Sequence, residues 1–526
     1  NVGSERTFTR TEKTAYRILS GFGRVNYNYN MKYLLSFTAR YDGISRLKDN
    51  RWGFFPGVSV GWNIMEEDFW KESKVSDIVS NLKPRLSYGV NGNVNGIGNY
   101  EVYGEYAQVD AKTYGGATAL YNKKLLNTNL RWEQSQTFEV GLDIGFLQNR
   151  FSFILDFYSR RTKDLLTKQA LPGYTGFSDI VTNMGTLRNS GFEAEVQPNI
   201  INKGGFTWDM TANITSVANK IISLPYNNVE NNRVGGYEVA AGKVDADGKF
   251  PTKWIAGRQE GGKLGELVGY RQQHVFKDWD DVKQHANLRV DEVANLYGPG
   301  LADQINPATG KTYKESSGWQ PIEPGDACWE DINGDNIING YDRSVMGNIF
   351  PNVTGGFSTT FGYKGLSLYA RFDYALGHTL YNDLKARSLG QYQGQFNIIT
   401  DVKDMWSEAN PNSDLTKFYY ADQLAKKNIT RSNNASTAAD NNSSRYYEKG
   451  DYLALREITL SYQLPKSLIS KAHLTEASVY VTGQNLFYIT GYDGVSPEPA
   501  VSTTYGRGID NGRYPTPRTF LFGLSL

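Results

Sequence analysis

The chain has 526 residues, of which 39% are hydrophobic, 13% aromatic and 21% charged, and its formal net charge is +1. This near-neutral balance gives no electrostatic reason for a nucleic-acid partner, so we predict none. A single cysteine and four histidines exclude a disulfide scaffold and a cysteine–histidine zinc ribbon. No apolar run approaches the roughly 18–20 residues of a membrane helix, whereas the alternating strands of a membrane β-barrel are compatible with this composition.

Apolar and polar residues alternate with a period of two in many segments, which indicates strands with one apolar face. Residues 138–146 show the pattern most clearly, because an apolar residue stands at every second position from Phe138 to Phe146. The other segments, in chain order, are 33–41, 58–62, 82–90, 151–157, 206–214, 366–374, 458–462 and 520–526. We count roughly thirteen such segments of about ten residues each, the length of a tilted transmembrane strand.

The connections between these segments alternate between short and long. Short turns are predicted near residues 30, 148–149, 200–204 and 363–365, with helical turns at 65–81 and 465–474. Long polar connections are predicted at 43–53, 92–130, 162–186, 217–352, 377–450 and 487–515. This asymmetry is typical of an outer-membrane barrel whose long loops are extracellular.

Aromatic residues lie near the ends of several segments, where the interfacial girdles of a membrane barrel are expected. The residues assigned to such girdles are Tyr27, Tyr29, Tyr33, Tyr41, Trp62 and Trp132. In a soluble sheet the same residues would form a core, because any single alternating strand is also typical of a half-buried soluble sheet. The alternative to a membrane barrel is therefore a soluble, secreted, calcium-stabilised β-rich glycan-binding protein or glycosidase.

Six motifs are spread along the chain: FPGVSVGW at 55–62, LKPRLSYGVNGN at 82–93, WE at 132–133, GLD at 141–143, DYLALREITLSY at 451–462 and VTGQNLF at 481–487. Together they resemble the SusC/RagA family of TonB-dependent outer-membrane transporters of Bacteroidetes. The resemblance runs from about residue 16 to the last residue. It implies an all-β fold, a 22-stranded transmembrane antiparallel barrel, of which this chain supplies about thirteen C-terminal strands.

The resemblance also implies parts and partners outside this chain. Members of the family carry an N-terminal TonB box, a small accessory domain and a plug inside the barrel, and none of these is readable here. Strand parity counted from a periplasmic C-terminus places Asn1 in an extracellular loop, so we expect an N-terminal remainder with the plug and early strands. Thirteen strands alone would leave two unpaired edges in lipid. Expected partners are outer-membrane lipid, that remainder, TonB, a SusD-like surface lipoprotein lid, and an oligosaccharide or peptide ligand.

Enzymatic motifs are missing from the sequence. There is no His-Glu-x-x-His motif and no phosphate-binding loop. The four histidines are too scattered to imply a site, and Cys328 is predicted to be a packed thiol beside Trp329. We therefore predict a transporter rather than an enzyme, with no catalytic residues.

The sharpest local motif lies in the long loop 217–352 and reads DINGDNIINGYD from Asp331 to Asp342. Oxygen ligands stand at positions 1, 3, 5, 9 and 12, with a backbone carbonyl at position 7, as in an EF-hand-like loop. The predicted structural Ca²⁺ ligands are Asp331, Asn333, Asp335, Ile337, Asn339 and Asp342. Asn336 replaces the usual glycine and Asp342 the usual glutamate, so the expected affinity is modest. The alternative is a turn-rich loop without metal.

Exposed aromatic side chains suit stacking on sugars or capture of peptides. Among the aromatic residues of the long loops, the predicted substrate-binding residues are Trp279, Trp319, Tyr392 and Trp406. The alternative is that they pack the loops against one another or against a lid. Their spacing does not distinguish these roles.

Overall fold

A computed structural model describes most of the chain. The described residues are 13–114, 117–292, 295–297, 305, 310–312, 315, 322–391, 399–418, 443–498, 501–502, 506–512 and 514–526. The predicted ligand-binding residues Trp319 and Tyr392 lie outside these ranges.

Strands are numbered along the chain and dominate the described residues. The first ten are β1 Ile18–Tyr29, β2 Tyr33–Ile44, β3 Trp52–Trp62, β4 Val79–Asn93, β5 Glu105–Tyr114, β6 Ala117–Lys124, β7 Glu133–Phe146, β8 Phe151–Ala170, β9 Asp179–Lys203 and β10 Phe206–Ser223. Short strands follow: β11 Tyr237–Ala240, β12 Thr252–Ile255, β13 Glu266–Tyr270, β14 Gln272–Val275, β15 Arg289–Glu292, β16 Asn295–Tyr297, β17 Ala327–Trp329, β18 Ile337–Ile338 and β19 Arg343–Asn348. The last ten are β20 Val353–Tyr363, β21 Leu366–Leu376, β22 Thr379–Asn382, β23 Tyr447–Lys449, β24 Tyr452–Gln463, β25 Ser478–Thr490, β26 Val501–Ser502, β27 Gly506–Arg507, β28 Ile509–Asp510 and β29 Thr519–Ser525.

Thirteen of these strands form one antiparallel sheet, in the order β1-β2-β3-β4-β7-β8-β9-β10-β20-β21-β24-β25-β29. Neighbours in the sheet therefore follow one another along the chain, and the shorter strands pair in small sheets between them. The all-β architecture and the predicted number of sheet strands are confirmed.

The part of the chain that the structure describes contains four short α-helices: α1 Asp68–Lys71, α2 Trp279–Gln284, α3 Asp383–Ala386 and α4 Lys466–Ile469. The helical turns predicted at 65–81 and 465–474 are confirmed by α1 and α4 and the 3₁₀ turns beside them. No helix in the described ranges has the length and apolar composition needed to cross a bilayer.

The chain divides into two compact units, one reaching to Ala194 and including Ala218–Asn232, the other comprising Glu195–Val217 and Arg233–Leu526. The first unit contains a core of Ile44, Leu47, Phe55, Val94, Ile97, Val102, Leu130 and Trp132. The second contains a larger cluster, the loop core, made of Tyr270, Phe276, Val282, Leu288, Val290, Ile322, Ala327, Cys328, Trp329 and Ile338. Each of these cores is built largely by residues outside the central parts of the sheet strands.

Two sequence predictions about strands and loops were wrong. The strands β8, β9 and β10 have 20, 25 and 18 residues, far more than the predicted ten. The predicted long loop 162–186 consequently shrinks to the few residues between Ala170 and Asp179. Alternation of apolar and polar residues identifies only the part of a strand that has one apolar face. Where the strand continues with mixed side chains on both faces, the pattern does not show where the strand ends.

The prediction that Trp132 belongs to an interfacial girdle was also wrong. It is 7% exposed and packs edge-on against Phe55 at a ring distance of 5.3 Å, and its indole N–H donates to the carbonyl of Arg51 at 3.0 Å. Tyr29, Tyr33 and Trp62 instead form an exposed stack, with ring distances of 6.4 and 6.5 Å between successive members. Because the indole N–H of Trp132 has its hydrogen-bond partner inside the core, this residue does not need the polar membrane interface to supply one.

Candidate functional site

One face of the sheet is an exposed band of apolar side chains. Residues directly opposite in neighbouring strands lie on the same face, and in the first unit they form the row Tyr27, Leu35, Val60, Leu86, Val140 and Phe157. All six are between 42% and 57% exposed. The second unit carries a corresponding row of Trp208, Phe361, Leu368, Leu460, Val481 and Phe522. Contiguous apolar area of this extent is not left against water.

The opposite face of the first unit is polar. The row next to the apolar one reads Asn26, Ser36, Ser59, Ser87, Glu139 and Tyr158. On this face Arg85 lies 2.8 Å from Asp143 and 3.0 Å from Asp156, and Lys83 lies 3.5 Å from Asp143. Such a face of hydroxyls and paired charges is suited to water or to polar groups, and not to lipid.

The polar face of the second unit contains a β-bulge at Arg456. The pairing of β24 shifts there against both β21 and β25, and Asn485 opposite it has a positive φ of 53°. The Arg456 guanidinium forms ion pairs with Asp373 and Glu498, and its Nη1 donates to the Tyr488 hydroxyl at 3.0 Å. A bulge re-aims a side chain, and here it directs Arg456 to the same face as Asp373.

The predicted calcium loop is a closed turn with its carboxylates on backbone donors. Asp331 accepts from the amides of Gly334 at 2.7 Å and Asn336 at 2.8 Å. Asp342 accepts from the amides of Ile332 at 2.9 Å and Asn339 at 2.8 Å. Asn336 has a φ of 63°, the left-handed conformation that a glycine usually supplies at this position of such a loop. The backbone therefore adopts the turn that the motif predicts.

The loop brings Asp342 into a buried position near two other carboxylates. Asn333 and Asp342 are fully buried. Burial raises the pKa of Asp342 to about 6; the two amide donors oppose this rise, and the charges of Asp331 and Asp335 add to it. Within the described ranges, no group of three or more His, Cys, Asp or Glu side chains is arranged to hold a metal ion. Calcium at this loop stays a prediction.

The two predicted ligand-binding tryptophans within the described ranges lie near each other in the fold. Trp279 opens α2 and is 57% exposed. The indole N–H of Trp406 donates to the carbonyl of Lys277 at 3.1 Å, two residues before Trp279. Trp406 thus has a packing role beside α2, whereas Trp279 presents a free aromatic surface.

Two histidines that looked unrelated in the sequence meet around one carboxylate. His274 Nε2 lies 3.2 Å from Asp281, the Nδ1 atom of His285 lies 3.0 Å from the Asp281 carbonyl oxygen, and the two rings are 5.6 Å apart. The turn from β14 into α2 creates this contact, and only the spacing of Asp281 and His285 by one helical turn hinted at it. Cys328 pairs opposite His274, and burial raises the pKa of its thiol to about 12, so it is a packed thiol as predicted.

Comparison with known proteins assigns the family. The family described as "TonB dependent receptor-like, beta-barrel" matches residues 1–313. TonB-dependent receptor P3 of Formosa agariphila is 30% identical over 517 residues, covering 97% of this chain and 45% of the relative. TonB-dependent receptor SusC of Bacteroides thetaiotaomicron is 31% identical over 534 residues, covering 98% of this chain and 44% of the relative.

The structure of the RagAB peptide transporter shares the fold, with a TM-score of 0.67 and 22% identity over 97% of this chain and 47% of that chain. The chain spans about half the length of the curated relatives that it matches. The exposed apolar face of its sheet agrees with the membrane position of such barrels. The chain belongs to the β-barrel family of TonB-dependent receptors, of the SusC/RagA type, and is an outer-membrane protein.

Proposed function

We propose that this chain is the barrel portion of a TonB-dependent importer of oligosaccharide or peptide nutrients. The observation that carries the proposal is the contrast between the two sheet faces, with an apolar row 42–57% exposed beside a row of hydroxyl and charged side chains. A membrane barrel needs both faces, one for lipid and one for a polar lumen. In a soluble protein this apolar row would face water, with no lipid to cover it.

Extraction from membranes separates these two functions. An integral barrel stays in the membrane through carbonate and high-salt washes, leaves it in detergent, and migrates faster on gels before heating than after it. Release by carbonate without detergent would reject the importer and favour the secreted glycan-binding protein or glycosidase.

Two relatives support the two proposed ligand classes. SusC is a curated relative by sequence, and RagAB, described as a peptide transporter, shares the fold. Uptake of labelled maltooligosaccharides and labelled peptides by cells with and without the intact gene distinguishes the two classes. Loss of either uptake on removal of TonB or collapse of the inner-membrane proton gradient would support energised import, and uptake that survives both treatments would reject it.

We propose a SusD-like surface lipoprotein lid as the partner of the loops in 217–352 and 377–450. Support comes from the sequence resemblance to SusC and from the loop core, which gives the first of these segments a stable surface. Affinity purification of the tagged receptor from its native outer membrane should recover a lipoprotein. Purification of an intact receptor with no lipoprotein attached would contradict the partner.

We propose that Trp279 stacks on the ligand. Its ring is largely exposed, whereas Trp406 is held by the Lys277 carbonyl. Trp279→Ala should lower the affinity of the purified receptor for its ligand, because one aromatic contact is worth about 0.5–1.5 kcal/mol beyond buried area. Trp70→Ala is a control, since that residue follows β3 in the segment around α1; equal losses in both variants would remove Trp279 from the site.

We propose that the loop from Asp331 to Asp342 binds one Ca²⁺ as a structural ion. The donor set is all oxygen and includes three carboxylates, the chemistry that calcium prefers. Each carboxylate oxygen has two lone pairs, so the backbone hydrogen bonds described above leave acceptor sites for a cation. Bound calcium would hold this loop closed and steady the neighbouring surface.

A further inference from the structure

A second feature of the loop region is a basic cleft. The cleft, about 380 Å³ in volume, is lined by residues from five segments, with Lys253, Arg271, Arg343 and Glu330 as its charged residues. Its apolar floor belongs to the small core of Val239, Ile255 and Val268, against which Val345 packs. Three cations and one carboxylate give the cleft a net positive charge.

The three cations differ in how firmly they are held. Arg343 lies over the rings of Tyr237 and Tyr270, 4.8 and 5.5 Å from their centroids, so its planar group is fixed by stacking. Arg271 lies 3.7 Å from Glu330, beyond hydrogen-bond distance, with 58% of its side chain exposed. No hydrogen bond or ion pair to another described residue engages the Lys253 ammonium.

Lys253 and Arg271 therefore have donors available around one small space, beside the fixed charge of Arg343. A guanidinium recognises the two oxygens of a carboxylate, sulfate or phosphate with parallel N–H bonds, and an ammonium adds a mobile point charge. Glu330 neutralises only part of the positive charge of the cleft, because its contact with Arg271 is long. We propose that the cleft binds an oxyanion, either as a free ion or as the acidic group of a larger ligand.

Oxyanion binding by the purified receptor does not depend on whether the protein imports nutrients. The test uses the whole receptor purified in detergent and isothermal titration with sodium sulfate, at an ionic strength held constant with sodium chloride. Lys253→Gln combined with Arg271→Gln should weaken sulfate binding about tenfold, because two partly exposed charge contacts are lost. Lys263→Gln combined with Arg258→Gln is the matched control, since both side chains are exposed in the same region but do not line the cleft.

A variant with the opposite expected effect keeps the test decisive if the double variant misfolds. Glu330→Gln removes the carboxylate that competes for Arg271, so it should tighten sulfate binding severalfold. No sulfate binding by the wild-type receptor, or equal binding by the double variant and the control, would overturn the proposal. Weaker binding by Glu330→Gln would also contradict it.

A second arm identifies the source of the oxyanion. A trigalacturonate is titrated beside neutral maltotriose under the same conditions. Trigalacturonate binding tighter than sulfate and sensitive to the same variants would assign the cleft to an acidic group on a larger ligand. Binding of sulfate alone would assign it to a free ion, and equal binding of maltotriose and trigalacturonate would overturn recognition of charge.

Discussion

The sheet and the loop core differ in the exposure of their apolar side chains. In the second unit, Leu460, Val481 and Phe522 of the sheet are 48%, 44% and 78% exposed, whereas Phe276, Trp329 and Ile338 of the loop core are at most 1% exposed. The sheet thus depends on lipid to cover it, while the loop core covers itself as a water-soluble domain does. One chain therefore combines a sheet adapted to lipid on one face and water on the other with a loop core adapted to water alone.

The largest effect is expected from truncation of the loop core. Trp329→Ala should lower the unfolding free energy of this core by about 3–5 kcal/mol, because it opens a large cavity among buried side chains. Hydrogen exchange of β14, α2 and β17 should accelerate while exchange of β24 and β25 stays slow.

Trp329→Phe is the control for that variant. The indole N–H has no hydrogen-bond partner among the described residues, so phenylalanine loses packing alone. It should cost much less than alanine. Simultaneous acceleration of exchange in loop core and sheet would show that they do not unfold separately, contrary to the comparison.

A charge on the apolar face tests the dependence on lipid. Leu86→Arg should destabilise the folded barrel in lipid vesicles by about 2–4 kcal/mol, because its side chain lies in the exposed apolar row. Urea unfolding in vesicles measures the change. Ser87→Arg, on the next residue of β4 but on the polar face, should cost far less, and equal costs would contradict the assignment of the faces.

The bulge arginine connects the sheet with the chain that follows β25. Arg456→Gln should cost about 1–3 kcal/mol, since Asp373 and Glu498 lose their shared charged partner. Urea unfolding and proteolysis near Glu498 measure the loss. Arg371→Gln on the same face is the control, because Arg371 is 4.0 Å from Glu457 and 56% exposed; a loss as large as that of Arg456→Gln would deny the bulge its special role.

Calcium removal should loosen the loop region and leave the sheet intact. If calcium is present at ten times its dissociation constant, chelation should raise the rate of proteolysis within residues 330–343 about tenfold, since ligand binding suppresses opening by RT ln(1 + [L]/Kd). Asp331→Ala with Asp335→Ala should mimic chelation and become insensitive to it. Asp247→Ala with Asp280→Ala, two acidic residues outside the loop, should respond as wild type does, and unchanged cleavage after chelation would remove calcium from the loop.

The sequence by itself determined the faces and the number of the sheet strands. A period of two places alternate side chains on opposite faces whatever lies around them, so Val60, Leu86 and Val140 could be assigned to one face before any contact was known. The turn of the 331–342 loop was also local, because Asn336 supplies its left-handed conformation. Membership of the family followed from motifs that are themselves short runs of sequence.

Tertiary structure decided everything that depends on residues distant along the chain. Trp132 entered a core because Phe55 and the Arg51 carbonyl meet it there, and Cys328 lies opposite His274 because β14 pairs with β17. The basic cleft brings together Lys253, Arg271 and Arg343 from three strands or strand ends, and their spacing in the sequence does not predict that they lie close together. Side-chain direction is set by local backbone geometry, whereas proximity between strands is set by pairing and packing, which the one-dimensional pattern does not contain.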